Sequence, residues 1–287
     1  MMPVTYDAGM AFDAAILRRL GERFGVQTWP VVLDLGDLGE VPAADTESGA
    51  LAEPEAEAEA DADADADATI ASLDLVEHGE PTPWASAVLR VLAQPQREIE
   101  IRSYSDGFVR RICLARNGHD HVLAARTGSR VDVTVVDVPD VDALATAVRA
   151  QFASSGSDEA SPADFTAFSA PSDEVIDRLG RCRTGVETTD ALHALGANPA
   201  DAAIVSAAFA SCRTRTEIVA SMNEDGRFAQ SSGAVAIFDT ERGRIVSSPS
   251  KSPDGRVWTT FSPGTGHRIA QAISLLIETL PDGKWMP

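Results

Sequence analysis

The chain has 287 residues, enough for one or two domains and for a full hydrophobic core without disulfide or metal staples. Its 24 Lys+Arg against 44 Asp+Glu give a formal net charge of −20, which argues against nucleic acid or an anionic membrane as partner, since both demand a basic face. No apolar run reaches the roughly 18 residues of a membrane span, no basic-then-apolar leader opens the sequence, and the three widely spaced cysteines, Cys113, Cys182 and Cys212, fit a reducing cytoplasm with buried thiols, not a disulfide framework or a zinc site.

The acidity is concentrated. No Lys or Arg occurs from Phe24 through Leu89, a stretch that holds 16 acidic residues, so the remainder of the chain is nearly neutral. Its centre, Glu53 to Asp67, alternates Glu or Asp with Ala and offers no large side chain to bury. Like charges repel there, and nothing offsets the entropy of ordering, so a mobile surface loop is predicted over about Ala43–Ala68. A calcium loop would need ligands at set positions and a turn glycine, yet no Gly occurs from Ala50 through Glu77. As a solvated segment it would raise solubility and repel wrong partners.

In chain order, helical spacing of Phe12, Ile16, Leu17 and Leu20 predicts a first helix from about Asp7 to Phe24. Trp29 to Leu33 reads as extended, because Pro30 disfavours helix before it. After the acidic stretch, Ile70, Leu73 and Val76 suggest a short helix. Thr82 and Pro83 cap and open a better one carrying Trp84, Val88, Leu89 and Leu92. The period then changes to two. Segments 98–104, 108–115, 120–125 and 130–136 are separated by Asp-Gly, Asn-Gly and Thr-Gly turns, which predicts an antiparallel meander. Val141, Leu144, Val148 and Phe152 follow at helical spacing, and a small polar linker runs from Ser154 to Ala163. The order then repeats, with helices at 172–179, 189–195 and 199–210, strands at 214–221, 233–238, 244–248 and 256–261, and a closing helix at 264–280. The expected fold is α+β in two related halves, each an antiparallel four-stranded meander flanked by helices. The first spans 1–153 with a disordered acidic insertion at about 43–68; the second spans 154–287 and ends in the long helix. Whether the two meanders join into one sheet is not readable from the pattern.

Chemistry-bearing residues are few. His119 and His121 could share one strand face as a metal pair, or they are exposed histidines at a hairpin end. Ser262 to His267 could be a phosphate-cradling loop with Gly264 and Gly266, or a helix start with Ser262 as N-cap and Pro263 at the first position. No nucleophile elbow or triad spacing is present. The expectation is therefore no catalytic residue, no metal and no cofactor; a metal- or phosphate-using enzyme built on His119/His121 or Gly264–Gly266 is the alternative. Trp258 reads as core, and Trp285 as an anchor for the C-terminal tail.

Four blocks carry a family resemblance. They are Arg213-Thr214-Arg215-Thr216-Glu217-Ile218-Val219, then Gly243-Arg244-Ile245-Val246-Ser247-Ser248-Pro249-Ser250 with Trp258-Thr259-Thr260-Phe261-Ser262-Pro263-Gly264-Thr265, then Leu280-Pro281-Asp282-Gly283-Lys284-Trp285. Together they resemble the EspG family, the cytosolic chaperones of type VII (ESX) secretion. The blocks cover about residues 213–287, and element order extends the match along the chain, most thinly over the N-terminal third and the acidic stretch. The resemblance implies two related α+β halves with central antiparallel sheets. It implies no enzyme, and a partner that is the PPE tip of a PE–PPE heterodimer, kept soluble and directed to its secretion system. The contact surface is implied on the central sheet and C-terminal helices. On that basis the expected contact is Thr216, Ile218, Ala220 and Met222 along one strand face, with Gln230, Ser231, Ser232 and Gly233 in the following loop. That strand face could equally be ordinary core. A self-assembling protein, or a weak homodimer, using an open sheet edge is a third reading.

Overall fold

Alternating residues closed by tight turns build most of this molecule. The computed structural model describes residues 9–35, 65–152, 161–224 and 226–287. The N-terminal strands are β1 (Met10–Asp13), β2 (Val76–Glu77), β3 (Glu80–Pro81), β4 (Arg97–Ser105), β5 (Phe108–Asn117), β6 (Asp120–Thr127) and β7 (Arg130–Val136). The turns that close the β4–β7 meander place Gly107, Gly118 and Gly128 at positive φ, where a side chain would be strained. The later strands are β8 (Phe168–Pro171), β9 (Cys212–Glu224), β10 (Arg227–Gln230), β11 (Val235–Thr240), β12 (Gly243–Lys251) and β13 (Val257–Pro263).

All but β2 and β3 form one antiparallel sheet of eleven strands, in the order β1-β7-β6-β5-β4-β9-β11-β12-β13-β8, with β10 paired to the far end of β9. The two meanders do join. The seam is β4 against β9, in register from Arg97–Met222 to Ser105–Thr214. Both edge strands, β1 and β8, are only four residues long, and β8 ends in Pro171, features that discourage pairing between copies.

Helices are α1 (Ala14–Arg23), α2 (residues 65–72), α3 (Pro83–Ala93), α4 (Val141–Ala150), α5 (Ser172–Arg181), α6 (Gly185–Ala194), α7 (Pro199–Ala210) and α8 (Gly266–Glu278). Their starts are legible in side chains. Thr82 accepts from Ala85 N at 3.4 Å ahead of Pro83. Asp140 caps α4 through Ala143 N at 2.7 Å, and Asn198 caps α7 ahead of Pro199. Thr184 and Glu187 form a reciprocal capping box on α6.

Strand alternation sends the two side-chain sets to opposite faces. On one face, Ile99, Ile101, Ile112, Leu114, Ile218, Ala220, Val235, Ile237 and Val246 pack beneath α4 and α8, which supply Leu144, Val148, Ile269, Ile273, Leu276 and Ile277. The other face is covered in two places. Over β5–β7 lie α1, α2, α3 and a one-turn 3-10 helix (Val31–Leu33), with Leu17, Leu20, Leu33, Ile70, Val88 and Leu92 against Cys113, Ala115, Val122 and Val133. Over β12 and β13 lie α5, α6 and α7, with Val175, Leu192, Ala202 and Val205 against Ile245 and Phe261. Between these two layers no described helix covers the sheet.

Four local expectations are corrected. The first helix begins later: Met10–Asp13 pairs with β7 as an edge strand, and Asp13 then caps α1 by accepting from Ala15 N at 2.9 Å. Val31–Leu33 is a 3-10 turn, not an extended run. The end of the acidic stretch is helical rather than loop. Ala66 and Ile70 are buried, and Asp67 takes a two-point ion pair from Arg19, at 2.9 and 3.3 Å, which holds its carboxyl below the usual range. Residues 43–64 of the expected loop lie outside the described residues. Lastly, α8 starts at Gly266 with Thr265 as cap, accepting from Arg268 N at 3.2 Å, so Ser262 and Pro263 end β13.

Candidate functional site: a groove on the central sheet

The uncovered part of the sheet forms a groove of about 690 Å³. Its floor is Val219 and Glu217 of β9, Ala236 and Phe238 of β11, Ser247 and Pro249 of β12, and Thr259 and Phe261 of β13. One wall is α5, through Val175, Ile176 and Leu179. Ile176 is 74% exposed although it sits on an apolar helix flank. The opposite rim is polar. Arg102 of β4 lies beside Glu217, its cross-strand partner, and Arg215 is 3.2 Å from Glu217 while its guanidinium covers the Tyr104 ring at 5.1 Å. An apolar floor, an exposed apolar wall and a charged rim are what a protein partner's surface requires.

A larger depression, about 900 Å³, lies between α5 and α6. It is lined by Asp173, Glu174, Asp177, Arg178, Arg181, Glu187 and Asp190. Several of these already pair, Arg181 with Asp177 and Arg256 with Asp173 and Glu174, and among the described residues the apolar lining is limited to Ala191 and Cys182. The smaller groove is the better site on chemistry.

The expected contact residues divide. Thr216, Ile218 and Ala220 are 2%, 0% and 0% exposed, with Ile218 and Ala220 packed under α4 and α8 and Thr216 Oγ1 3.0 Å from Ser103 Oγ, so this strand face is buried as core in the free chain. Met222, next on that face, is half-buried beside Ala229 of β10. The groove lies on the alternate face, one residue out of register, through Arg215, Glu217 and Val219. The loop fares differently. Ser232 and Gly233 line the groove, with Gln230 and Ser231 just before them. Ser232 Oγ donates to Thr279 O at 3.3 Å, and Ser231 Oγ donates to Gly233 O at 2.7 Å, so the loop is tied to the end of α8. A Cβ on Gly233 would meet Pro249 Cβ at 2.6 Å, which accounts for glycine there.

The alternative chemical candidates are taken up by structure. His119 lies in the turn and is exposed, whereas His121 is 1% exposed in β6, so the two do not share a strand face. Trp285 Nε1 donates to His121 Nε2 at 3.2 Å, and His121 Nδ1 is 3.0 Å from His119 O, which leaves no ring nitrogen for a metal. Burial pushes His121 down to about 4. Among the described residues no group of three or more His, Cys, Asp or Glu could hold a metal ion. A Cβ on Gly264 would fall 2.2 Å from Arg244 Cγ, so this glycine lets the turn close on Arg244. Of the cysteines only Cys113 is buried; Cys182 is half-buried and Cys212 is exposed at the groove mouth. Trp258 is partly exposed under Arg256, at 5.9 Å, rather than core. Trp285 is 1% exposed and pins the tail. Beside it Arg97, 2% exposed, reaches Asp282 at 2.5 Å, Glu224 at 2.8 Å and Lys284 O at 3.3 Å.

No described helix is long and apolar enough to cross a membrane. Comparison with known proteins places these features. The model of the EspG family matches residues 13–274. The ESX-3 secretion-associated protein EspG3 of Mycobacterium tuberculosis is 32% identical over 228 residues, 74% of this chain and 76% of that protein. The ESX-1 secretion-associated protein EspG1 of the same species is 32% identical over 218 residues, 75% of this chain and 71% of that protein. The structure of the M. tuberculosis type VII secretion system chaperone EspG5, solved in complex with the PE25–PPE41 dimer, superposes with a TM-score of 0.77 over 97% of this chain and 99% of that one, at 18% identity. With a match along nearly the whole sequence, and with one antiparallel sheet flanked by helices in both, the chain belongs to the EspG family.

Proposed function

We propose that this protein is a cytoplasmic, non-enzymatic chaperone that binds the PPE subunit of a PE–PPE heterodimer through the groove, keeps it soluble and directs it to a type VII secretion system. The observation that carries the reading is Ile176, an exposed apolar side chain on the wall of a groove with an apolar floor. Family membership and the likeness to a chaperone solved with a PE–PPE dimer support it. The contact set comprises Ile176, Val219, Arg215 and Glu217, with Gln230, Ser231, Ser232 and Gly233 at the loop. We read the chain as two halves, 1–153 and 154–287, that meet at β4–β9, where both contribute to the binding face.

Co-expression of the tagged chain with PE–PPE pairs from the genome that encodes it, followed by size-exclusion chromatography, tests the reading. A soluble 1:1:1 complex is expected with at least one pair. Ile176→Asp is expected to fold normally, because the side chain is exposed, and to weaken that complex by more than about tenfold. A folded protein that binds no pair, or an Ile176→Asp variant that binds as the parent does, would refute it.

A further inference from the structure

The strip of sheet beside the groove carries a largely buried acidic pair. Glu98 and Glu100 stand two residues apart on β4 and project from the groove face. One hydroxyl, Ser221 of β9, lies 3.5 Å from Glu98 Oε2 and 3.4 Å from Glu100 Oε1. A hydroxyl has one proton to donate, so it serves one carboxylate at a time. The Cys113 thiol of β5, a weak donor, is 3.5 Å from Glu98 Oε1. Arg102 brings a cation to Glu100 alone, at 3.5 Å.

Among the described residues, the other charged groups on this face are engaged elsewhere. Arg111 of β5 pairs at 3.3 Å with Asp34, just after the 3-10 turn, and Arg215 pairs with Glu217 on β9. Glu100 is 8% exposed. A carboxyl set beside a second carboxylate and largely removed from water holds its proton more tightly than a free one.

We propose that Glu98 keeps a proton beside Glu100, and that this proton makes the groove's grip on its partner pH-sensitive. The inference rests on the partner-binding reading above. Val219 lies directly across from Glu100 in the β4–β9 register, and both Val219 and Arg102 line the groove, so a seated partner removes further water from the pair. In the free chain, burial and the neighbouring Glu100 already push Glu98 up to about 7. Covering the strip acts in the same direction. Binding above neutrality therefore takes one proton from solvent onto the Glu98 carboxylate, and affinity falls as pH rises.

The test is affinity for a PE–PPE pair at pH 6 and pH 8, by calorimetry, for the parent and for Glu98→Gln. The parent is expected to bind about tenfold more weakly at pH 8, the consequence of one linked proton. Glu98→Gln is expected to bind equally at both pH values and as tightly as the parent at pH 6. Equal affinity of the parent at the two pH values, or a slope that persists in Glu98→Gln, overturns the inference and leaves the chaperone reading intact. Absence of any complex at pH 6 overturns the chaperone reading instead. An infrared titration of the free chain decides the proton without a partner. A protonated-carboxyl band is expected at pH 6, fading by pH 8 and missing in Glu98→Gln, and its absence from the parent would overturn the Glu98 proton.

Discussion

Two buried titratable groups with opposed shifts predict that the stability of this protein hides its own pH dependence. His121 titrates at about 4 in the folded chain against 6.5 as a free side chain. Its folded value is lowered, so the folded state prefers the neutral ring. That contribution is intact above pH 6.5 and is lost as pH falls toward 4, because the unfolded chain takes up a proton that the folded chain refuses. At about 1.4 kcal/mol per pH unit the loss over this window is about 3 kcal/mol. Glu98 acts the other way. Its folded value is raised from 4.5 to about 7, so the folded chain holds a proton that the unfolded chain has released. That contribution is fully present below pH 4.5 and is lost as pH rises through 7, again about 3 kcal/mol. Between pH 4.5 and 6.5 the two nearly cancel. The assay is urea unfolding by tryptophan fluorescence at half-unit steps from pH 4.5 to 7.5. Against the parent curve, His121→Gln is expected to gain relative stability as pH falls, since only Glu98 remains to titrate. Glu98→Gln is expected to lose it. Difference curves that are flat, or that slope the same way for both variants, would refute the reasoning.

Two further predictions concern packing. Trp285→Ala empties the socket of the largest fully buried side chain and orphans His121 Nε2, and it is expected to cost about 3–5 kcal/mol in chemical unfolding. A loss under 1 kcal/mol would mean that the tail does not hold the core closed. Gly264→Ala would drive a methyl into Arg244, whose guanidinium is fixed to Asp239 at 2.5 Å, and is expected to lower stability by about 1–3 kcal/mol in thermal unfolding. An unchanged melting temperature would show that the β13–α8 turn relaxes freely.

Much of the sheet was legible because its signals are local. Turn glycines and period-two runs located β4 to β7 to within two residues, and Thr82-Pro83 marked a helix start that the structure keeps. The short edge strands β1 and β8 were not legible. Four residues carry too little periodicity, and their strand character comes from a neighbour distant in sequence, β7 for one and β13 for the other. The end of the acidic stretch misled for a related reason. Alternating Asp and Ala has no apolar flank in isolation, yet Ala66 finds a core and Asp67 finds Arg19, 48 residues earlier in the chain.

The expected contact strand face lies in the core, one residue out of register with the groove, and the sequence held the means to tell the two faces apart. Along β9 the set Thr216, Ile218 and Ala220 is small or apolar, whereas Arg215 and Glu217 are charged. A charged set alternating with an apolar one puts the apolar set inside whenever helices cover only one side of that strand. What hid the answer was coverage. Nothing local announces that α8, some fifty residues downstream, packs on the Ile218 face, while α5, some forty upstream, stops short of β9 and leaves Val219 open. A site made by what the helices fail to cover is a property of the assembled layers. Its one sequence trace is Ile176, an apolar residue on α5 beyond those needed to bury that helix against β13.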